Sequence, residues 1–323
     1  MATFTQLDDA DIRAIAALFD LPDVNGWRII DAGTINSNYA VETAGETVFV
    51  RVNEGKDEAD VRYEGELVAQ LTAKGVPAPS PVQAATGERF GVYRDKYISV
   101  FPWVRGGHID EAGTTDAHTR AVGAALAQLH LAGQGVDVPE RLGIYTFDKI
   151  VDRFNGFRDN TDAALAPALA DIAEEIRWLR AQAEVRSAAS RGIIHGDLFR
   201  DNVMFDDTEL VALIDFEQAS TGSFAYDIAV CINAWCYRDN DFDMTLVAGL
   251  VAGYAGVRPL SAGDRQAIHV ETRLAAMRFT VTRITDVYLA DTGATGKDFR
   301  DYLRRLQRLR QLDSVLPKSH DDA

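Results

Sequence analysis

The run Ile194-His195-Gly196-Asp197-Leu198-Phe199-Arg200-Asp201-Asn202-Val203, followed by Leu213-Ile214-Asp215-Phe216-Glu217, constrains the fold of this chain more than any other feature. Its polar residues are set between short apolar runs. Residues 192–194 read as a strand that leads into His195. Residues 202–205 and 210–214 read as two strands joined by the Asp206-Asp207-Thr208-Glu209 turn. Such a hairpin carries Asn202 at one end and Asp215 at the other, so both can reach the mouth beside Asp197. A fold that hosts this segment must offer a strand, a loop and a hairpin opening on one place.

Those residue types match one chemistry. Phosphoryl transfer asks little covalent chemistry of a protein; it needs a base for the hydroxyl proton and oxygen ligands for Mg²⁺ on the nucleotide phosphates. Asp197 fits the base, and Asn202 and Asp215 fit the Mg²⁺ ligands, because Mg²⁺ prefers hard oxygen donors. The protein-kinase signature has the same layout, with Arg where Gly196 stands here. Turn-capping residues and a surface acid would explain an isolated His-x-Asp. The joint occurrence of Asp197, Asn202 and Asp215 in a strand context favours catalysis.

Upstream, residues 26–31, 39–43 and 47–52 read as strands, with an Asn/Ser/Gly turn over residues 31–38. Backbone N–H groups in that turn, at Ser37 and Asn38, could face phosphates. Arg51 is the basic residue inside the third strand, where kinases carry a Lys against the α/β-phosphates. Residues 57–74 predict a helix, and Glu64 in its first half is the expected partner of Arg51. After further strands to Phe101, the run Pro102-Trp103-Val104-Arg105-Gly106-Gly107 breaks the pattern as a hinge. There the Pro102 carbonyl and the Val104 N–H could meet an adenine edge. Helical periodicity then dominates, over residues 115–131, 148–158, 163–187, 224–237, 244–254, 261–289 and 298–312. The expectation is an α+β, protein-kinase-like two-lobe fold: a β-rich nucleotide-covering lobe over 1–101, a hinge at 102–107 and a mostly helical lobe over 108–323.

Composition narrows the partners. With 33 Lys and Arg against 49 Asp and Glu, the net charge is −16. That opposes nucleic acid or an anionic membrane surface, since phosphate backbones demand clustered cations. No apolar run is long enough to span a bilayer. Residues 1–20 read as an acidic helix and not as a secretory leader, so a cytoplasmic enzyme is expected. The two cysteines, Cys231 and Cys236, lie in an apolar helix and read as buried reduced thiols, not as metal ligands.

Taken together, Arg51, Glu64, the 101–106 hinge, Gln128-Leu129-His130, the 195–202 loop and Asp215 resemble the aminoglycoside phosphotransferase and choline kinase superfamily over nearly the whole chain. The segments Ser37-Asn38-Tyr39, Ala225-Tyr226-Asp227-Ile228-Ala229-Val230-Cys231-Ile232-Asn233-Ala234-Trp235-Cys236 and Tyr302-Leu303-Arg304-Arg305-Leu306 most resemble its bacterial homoserine kinase branch. Arg51 departs from that branch, which commonly lacks a cation there, and Ile214-Asp215-Phe216-Glu217 reads closer to choline kinases and some aminoglycoside kinases. The resemblance implies ATP and Mg²⁺ as cofactors, a small-molecule hydroxyl as acceptor, and a structural Asp227 that braces the catalytic loop. It leaves a monomer and a homodimer equally open. A homoserine pocket must grip a carboxylate, for which an Arg fork is suited. Arg200, Arg278 and Arg283 are the candidates. Glu217 could sit near the metal or the acceptor, and Trp235 could instead face a quaternary ammonium. Choline, ethanolamine, aminoglycoside or sugar-like acceptors stand as alternatives, and a non-catalytic nucleotide-binding pseudokinase as a more distant one.

Overall fold

In the computed structural model, residues 5–30, 36–291 and 297–317 are described. They fall into two compact units. The first comprises Met1–Gly107 with Gly135–Pro139 and Val211–Glu217; the second comprises His108–Gln134, Glu140–Leu210 and Gln218–Ala323.

The first unit opens with α1 (Asp9–Leu18), started by a reciprocal capping box in which Asp8 accepts from the Asp11 N–H and Asp11 accepts from the Asp8 N–H. Strands β1 (Val24–Ile30), β2 (Ser37–Thr43), β3 (Thr47–Asn53), β4 (Gly91–Tyr93) and β5 (Lys96–Pro102) form one antiparallel sheet in the order β1-β2-β3-β5-β4. Val48, Val50 and Val52 of β3 are buried in the same core as Ile12, Ile15 and Phe19 from the α1 region. The residues between them point the other way, as the period of two requires. Arg51 is one of these, held in register opposite Asn38 on β2 and Ser99 on β5. A slip of one residue would put this cation into the apolar core. The helix α2 (Glu58–Ala73) is capped by Asp57, whose side chain accepts from the Asp60 N–H. It buries Val61, Glu64, Leu67, Val68 and Leu71 at helical spacing. Burial of Leu67 alone contributes about 2 kcal/mol.

The second unit holds α3 (Asp116–Ala132), α4 (Phe147–Asn155), α5 (Ala166–Ala181), α6 (Ala183–Ser187) and β6 (Arg191–Ile194). A 3₁₀ turn, Arg200–Asn202, leads to β7 (Val203–Asp206), which pairs with β8 (Glu209–Leu213); β8 runs on into the Val211–Glu217 segment of the first unit. Then come β9 (Ser220–Ser223), α7 (Phe224–Trp235), β10 (Tyr237–Arg238), β11 (Asp241–Phe242), α8 (Met244–Val257), α9 (Ala262–Arg283) and α10 (Phe299–Leu309). Every residue of α7 except Tyr226 is buried, which fits a helix that is apolar nearly all round. Helices α3 and α8 meet at backbone distance: a Cβ on Gly123 would lie 2.0 Å from the Leu250 carbonyl oxygen, and one on Gly253 2.0 Å from that of Arg120. Glycine at both positions is a steric requirement.

Three differences from the sequence reading stand out. The helix expected over 163–187 is two helices, because the chain leaves helical geometry at Gln182, whose N–H turns to the Leu179 carbonyl. The strand β9 pairs antiparallel with β6 but consists of Ser-Thr-Gly-Ser, with no apolar alternation to betray it. The turn expected over 31–38 is described only from Asn36 onward, and residues 31–35 lie outside the described residues. Among the described residues, no helix is long and apolar enough to cross a membrane.

Candidate active site

The loop that carries Asp197 is fixed from behind. β6 delivers the chain into His195 and Gly196, and the Asp227 carboxylate on α7 accepts the N–H of both, each at 2.7 Å. His130 of α3 donates from Nε2 to the same carboxylate at 3.0 Å, stacks on Phe224 at 4.1 Å and meets the Tyr254 hydroxyl through Nδ1 at 2.7 Å. Burial pushes the Asp227 carboxyl up, but the His130 bond and the Gly196 N–H outweigh it and leave it below the usual carboxylate range. Burial drives His130 down, so at neutral pH it is a neutral donor to Asp227. Gly196 has φ +78°, and a Cβ there would press on the Gln218 carbonyl oxygen at 3.2 Å. Beneath the loop, the Trp235 indole N–H donates to the Leu198 carbonyl at 3.0 Å.

Asp197 and Asn202 are brought together by this geometry. The Asn202 amide donates from Nδ2 to the Asp197 carbonyl at 2.8 Å, which leaves its Oδ1 available as an acceptor or ligand. The Asp197 carboxylate accepts from Arg278 Nη1 at 3.0 Å. Arg278 is buried on α9, with its guanidinium over the rings of Tyr145 at 3.9 Å and Phe279 at 3.8 Å. Its buried Nε–H has no hydrogen-bond partner among the described residues.

The first unit gathers a second charged cluster. Arg51 Nη2 donates to Glu64 at 2.6 Å, and Arg51 Nη1 lies 3.2 Å from Glu217. Lys56 Nζ lies 2.6 Å from Glu217 and 3.6 Å from Glu64, while the Asn36 amide donates to Glu217. Burial would lower the Arg51 pKa, but Glu64, Glu217 and Asp215 hold the guanidinium above its ordinary value. Burial raises Glu217 against the larger combined pull of Arg51 and Lys56, which keeps it ionised. Asp215 follows β8 with φ +64°, a left-handed conformation that a non-glycine residue adopts at a cost and that clusters at functional sites.

The remaining sequence candidates fall in varied places. Ser37 accepts the Thr5 N–H and donates to Glu54, so its hydroxyl is engaged within the sheet. Asn38 is buried on β2. Pro102 ends β5 and pairs with Val48, and Val104 follows it half-buried. Glu217, read as an acid near the metal or acceptor, has its carboxylate engaged by Arg51 and Lys56. Trp235, read as a face for a quaternary ammonium, is fully buried in the core and offers no face to a ligand. Arg200 donates from Nε to Thr114 at 3.3 Å and lies over Trp235 at 5.9 Å. Arg283 meets the Asp298 carbonyl at 2.8 Å, the Asp301 carboxylate at 3.4 Å and the Tyr302 ring at 4.5 Å. Both cysteines are buried free thiols.

Sequence reasoning gave no site role to Lys56, Tyr145, Tyr302 or Arg305. Lys56 stands just past β3, and a search for a second cation there would have found it. Tyr302 and Arg305 are three apart on α10, so their shared face was legible from helical spacing. Tyr145 lies in an irregular segment before α4 and left no signal.

The model of the phosphotransferase enzyme family APH matches residues 26–260. The homoserine kinase of Gluconacetobacter diazotrophicus is 35% identical over 311 residues, covering 95% of this chain and 96% of that protein. That of Azorhizobium caulinodans is 33% identical over 323 residues, covering 98% of both. Among solved structures, the amicoumacin kinase hAmiN in complex with AMP-PNP, Ca²⁺ and Ami shares 15% identity at a TM-score of 0.72, covering 98% of this chain and 97% of that one. A choline/ethanolamine kinase family protein from Mesorhizobium loti shares 15% identity at a TM-score of 0.65, covering 94% and 93%. These last two likenesses establish the protein-kinase-like fold.

Proposed function

The chain belongs to the APH phosphotransferase family, and we propose on that premise that it transfers the γ-phosphoryl group of ATP to the hydroxyl of L-homoserine. It is an ATP-dependent phosphotransferase that acts on an alcohol group. The observation that carries the choice of acceptor is Arg278. A buried cation sits 3.0 Å from the candidate base, with an N–H donor to spare. That environment favours an acceptor that brings a negative charge. It opposes choline and aminoglycosides, which are cations, and the burial of Trp235 removes the aromatic face that choline would need. Relatives at 31–35% identity over 95–98% of the chain carry the name homoserine kinase and support the same reading.

Asp197 orients the acceptor hydroxyl and takes its proton as the oxygen attacks the γ-phosphorus and the bond to the ADP oxygen breaks. Arg278 fixes the Asp197 rotamer through its 3.0 Å hydrogen bond to the carboxylate. Arg51, held by Glu64, and Lys56 beside it supply positive charge toward the phosphates. Asn202 through Oδ1 and Asp215 through its carboxylate would hold Mg²⁺; these are hard oxygens, and such a site is ordinarily completed by phosphate and water. The ion, when bound, neutralises charge on the β- and γ-phosphates. What these residues contribute is mostly positioning and preorganised charge.

The test is ADP release with Mg·ATP and, separately, L-homoserine, choline, ethanolamine and an aminoglycoside. Stimulation by homoserine above all others is expected. Turnover on choline or an aminoglycoside with none on homoserine would overturn the acceptor and keep the reaction type. Absence of ADP release with every acceptor would favour a nucleotide-binding protein without turnover.

A further inference from the structure

Four arginines of the second unit gather around one aromatic cluster. The guanidiniums of Arg283 and Arg305 lie 4.5 and 4.3 Å from the centre of the Tyr302 ring. Tyr302 packs on Phe279 at 4.8 Å, and Phe279 carries the Arg278 guanidinium at 3.8 Å. Phe199 contacts both rings, at 4.8 Å to Phe279 and 6.4 Å to Tyr302, and is followed in sequence by Arg200. Asp197 and Arg278 both act electrostatically on the Tyr302 hydroxyl, which places the cluster beside the candidate base.

Gathering like charges in a partly buried place is unfavourable unless something offsets it. The acids available are few. Asp197 is the base. Asp301 is 3.4 Å from Arg283 but 2.6 Å from Arg304, and Glu111 is 3.9 Å from Arg200. Among the described residues no carboxylate lies within ion-pair distance of Arg305, whose Nη1 donates to the Asn233 carbonyl. Within this cluster three buried guanidinium nitrogens have no hydrogen-bond partner among the described residues: Arg200 Nη2, Arg278 Nε and Arg305 Nε. Buried donors are almost always satisfied in folded proteins, so three on one cluster mark a place where a partner arrives. In a chain of net charge −16, this concentration of unneutralised cations is not a consequence of composition.

We propose that Arg283 and Arg305 over Tyr302, with Arg278 and Arg200 alongside, form the receptor for the carboxylate of the acceptor, and that Arg305 sets the preference for an acid-bearing acceptor over the corresponding amino alcohol. The assignment rests on the homoserine reading above. A guanidinium fork binds a carboxylate bidentately, which an uncharged amide cannot reproduce. Arg305 stands furthest from compensation and therefore responds most to its arrival.

The experiment compares L-homoserine with 3-aminopropan-1-ol, which is homoserine without its carboxylate, as acceptors for the full-length chain with Mg·ATP. Wild type is expected to prefer homoserine in kcat/KM by at least about a hundredfold. In Arg305→Gln that ratio should fall by roughly a hundredfold, mainly through the KM for homoserine, and Arg305→Lys should restore part of it. Arg283→Gln is the second variant, with a smaller fall in the same direction, and it carries the test if Arg305→Gln does not fold. Variants that fold, as judged by thermal melting, and keep the wild-type ratio would overturn the receptor while leaving the homoserine assignment standing. A wild type that ignores homoserine overturns both, and that result appears before any substitution is made.

Discussion

Replacing Asp227 by Asn tests the idea that one buried carboxylate holds the catalytic loop in shape. Asp227 accepts the N–H groups of His195 and Gly196 at 2.7 Å each and the Nε2 of His130 at 3.0 Å, with no exposure to solvent. Asn keeps one acceptor oxygen and replaces the other by an NH₂ group, which must then face a backbone N–H. One charge-assisted hydrogen bond is lost, at about 1.5–3 kcal/mol, and a buried donor is stranded, at about 1–3 kcal/mol. The sum of about 2.5–6 kcal/mol brackets the roughly 3–5 kcal/mol that breaking a buried charged pair ordinarily costs. It is a large part of the net stability of a folded chain, which is about 5–15 kcal/mol. Urea unfolding should show the midpoint falling with an unchanged m-value. Because Asp197 follows Gly196 directly, a loop displaced by about 1 Å should also lower kcat by about a hundredfold. An Asp227→Asn protein within about 1 kcal/mol of the parent, turning over normally, would refute the bracing argument.

Further expectations concern the charged groups. Asp197→Asn keeps the hydrogen-bond acceptor toward Arg278 but removes the base, so turnover should drop by about a hundredfold to ten-thousandfold with ATP affinity retained; near-normal turnover by stopped-assay ADP release would sink the assignment. Arg51→Met takes from buried Glu64 its 2.6 Å partner and leaves it only Lys56 at 3.6 Å, so it should destabilise by about 3 kcal/mol, whereas Lys56→Met leaves Arg51 bridging both carboxylates and should cost about 1 kcal/mol; equal melting points for the two would contradict this hierarchy. Burial, with Arg273 adding to it, pushes His269 down to about 4. The unfolded chain therefore takes up that proton first, and stability should fall by about 3 kcal/mol as the pH drops from about 6.5 to about 4, with no further change from this group below. Urea midpoints of wild type and His269→Gln across that window check this, and parallel curves would falsify it.

Much of this architecture was legible because the signals were local. Alternation at Val48, Val50 and Val52 marked a half-buried strand, and the cation between them announced that the opposite face had a use. The expected helix partner Glu64 lies on the buried face of α2, where the 3.6-residue period placed it. The shape of the loop that carries Asp197 was legible because strand, glycine and acid occur in one contiguous run. What stayed hidden depended on contacts between distant segments. β9 is a strand because β6 lies beside it, not because Ser-Thr-Gly-Ser prefers extended backbone. The burial of Trp235 depends on the loop above it, and an aromatic on an apolar helix reads the same whether it ends in a core or beside a ligand. Glu217 followed a motif and looked like part of it, but two cations from the β3 region, some 160 residues earlier by the numbering, decide where its charge is used.

That last contact bears on how the protein is made. Val211–Glu217 belongs to the same compact unit as the first 107 residues, so the N-terminal sheet emerges from the ribosome long before its final segment exists. Until Glu217 is synthesised, Arg51 and Lys56 share Glu64 alone, and the nascent sheet carries excess positive charge where the finished unit is balanced. The N-terminal unit therefore begins first but is complete only once Glu217 has emerged; cutting the gene after Gly107 would keep all five strands of the sheet and leave Arg51 and Lys56 without Glu217.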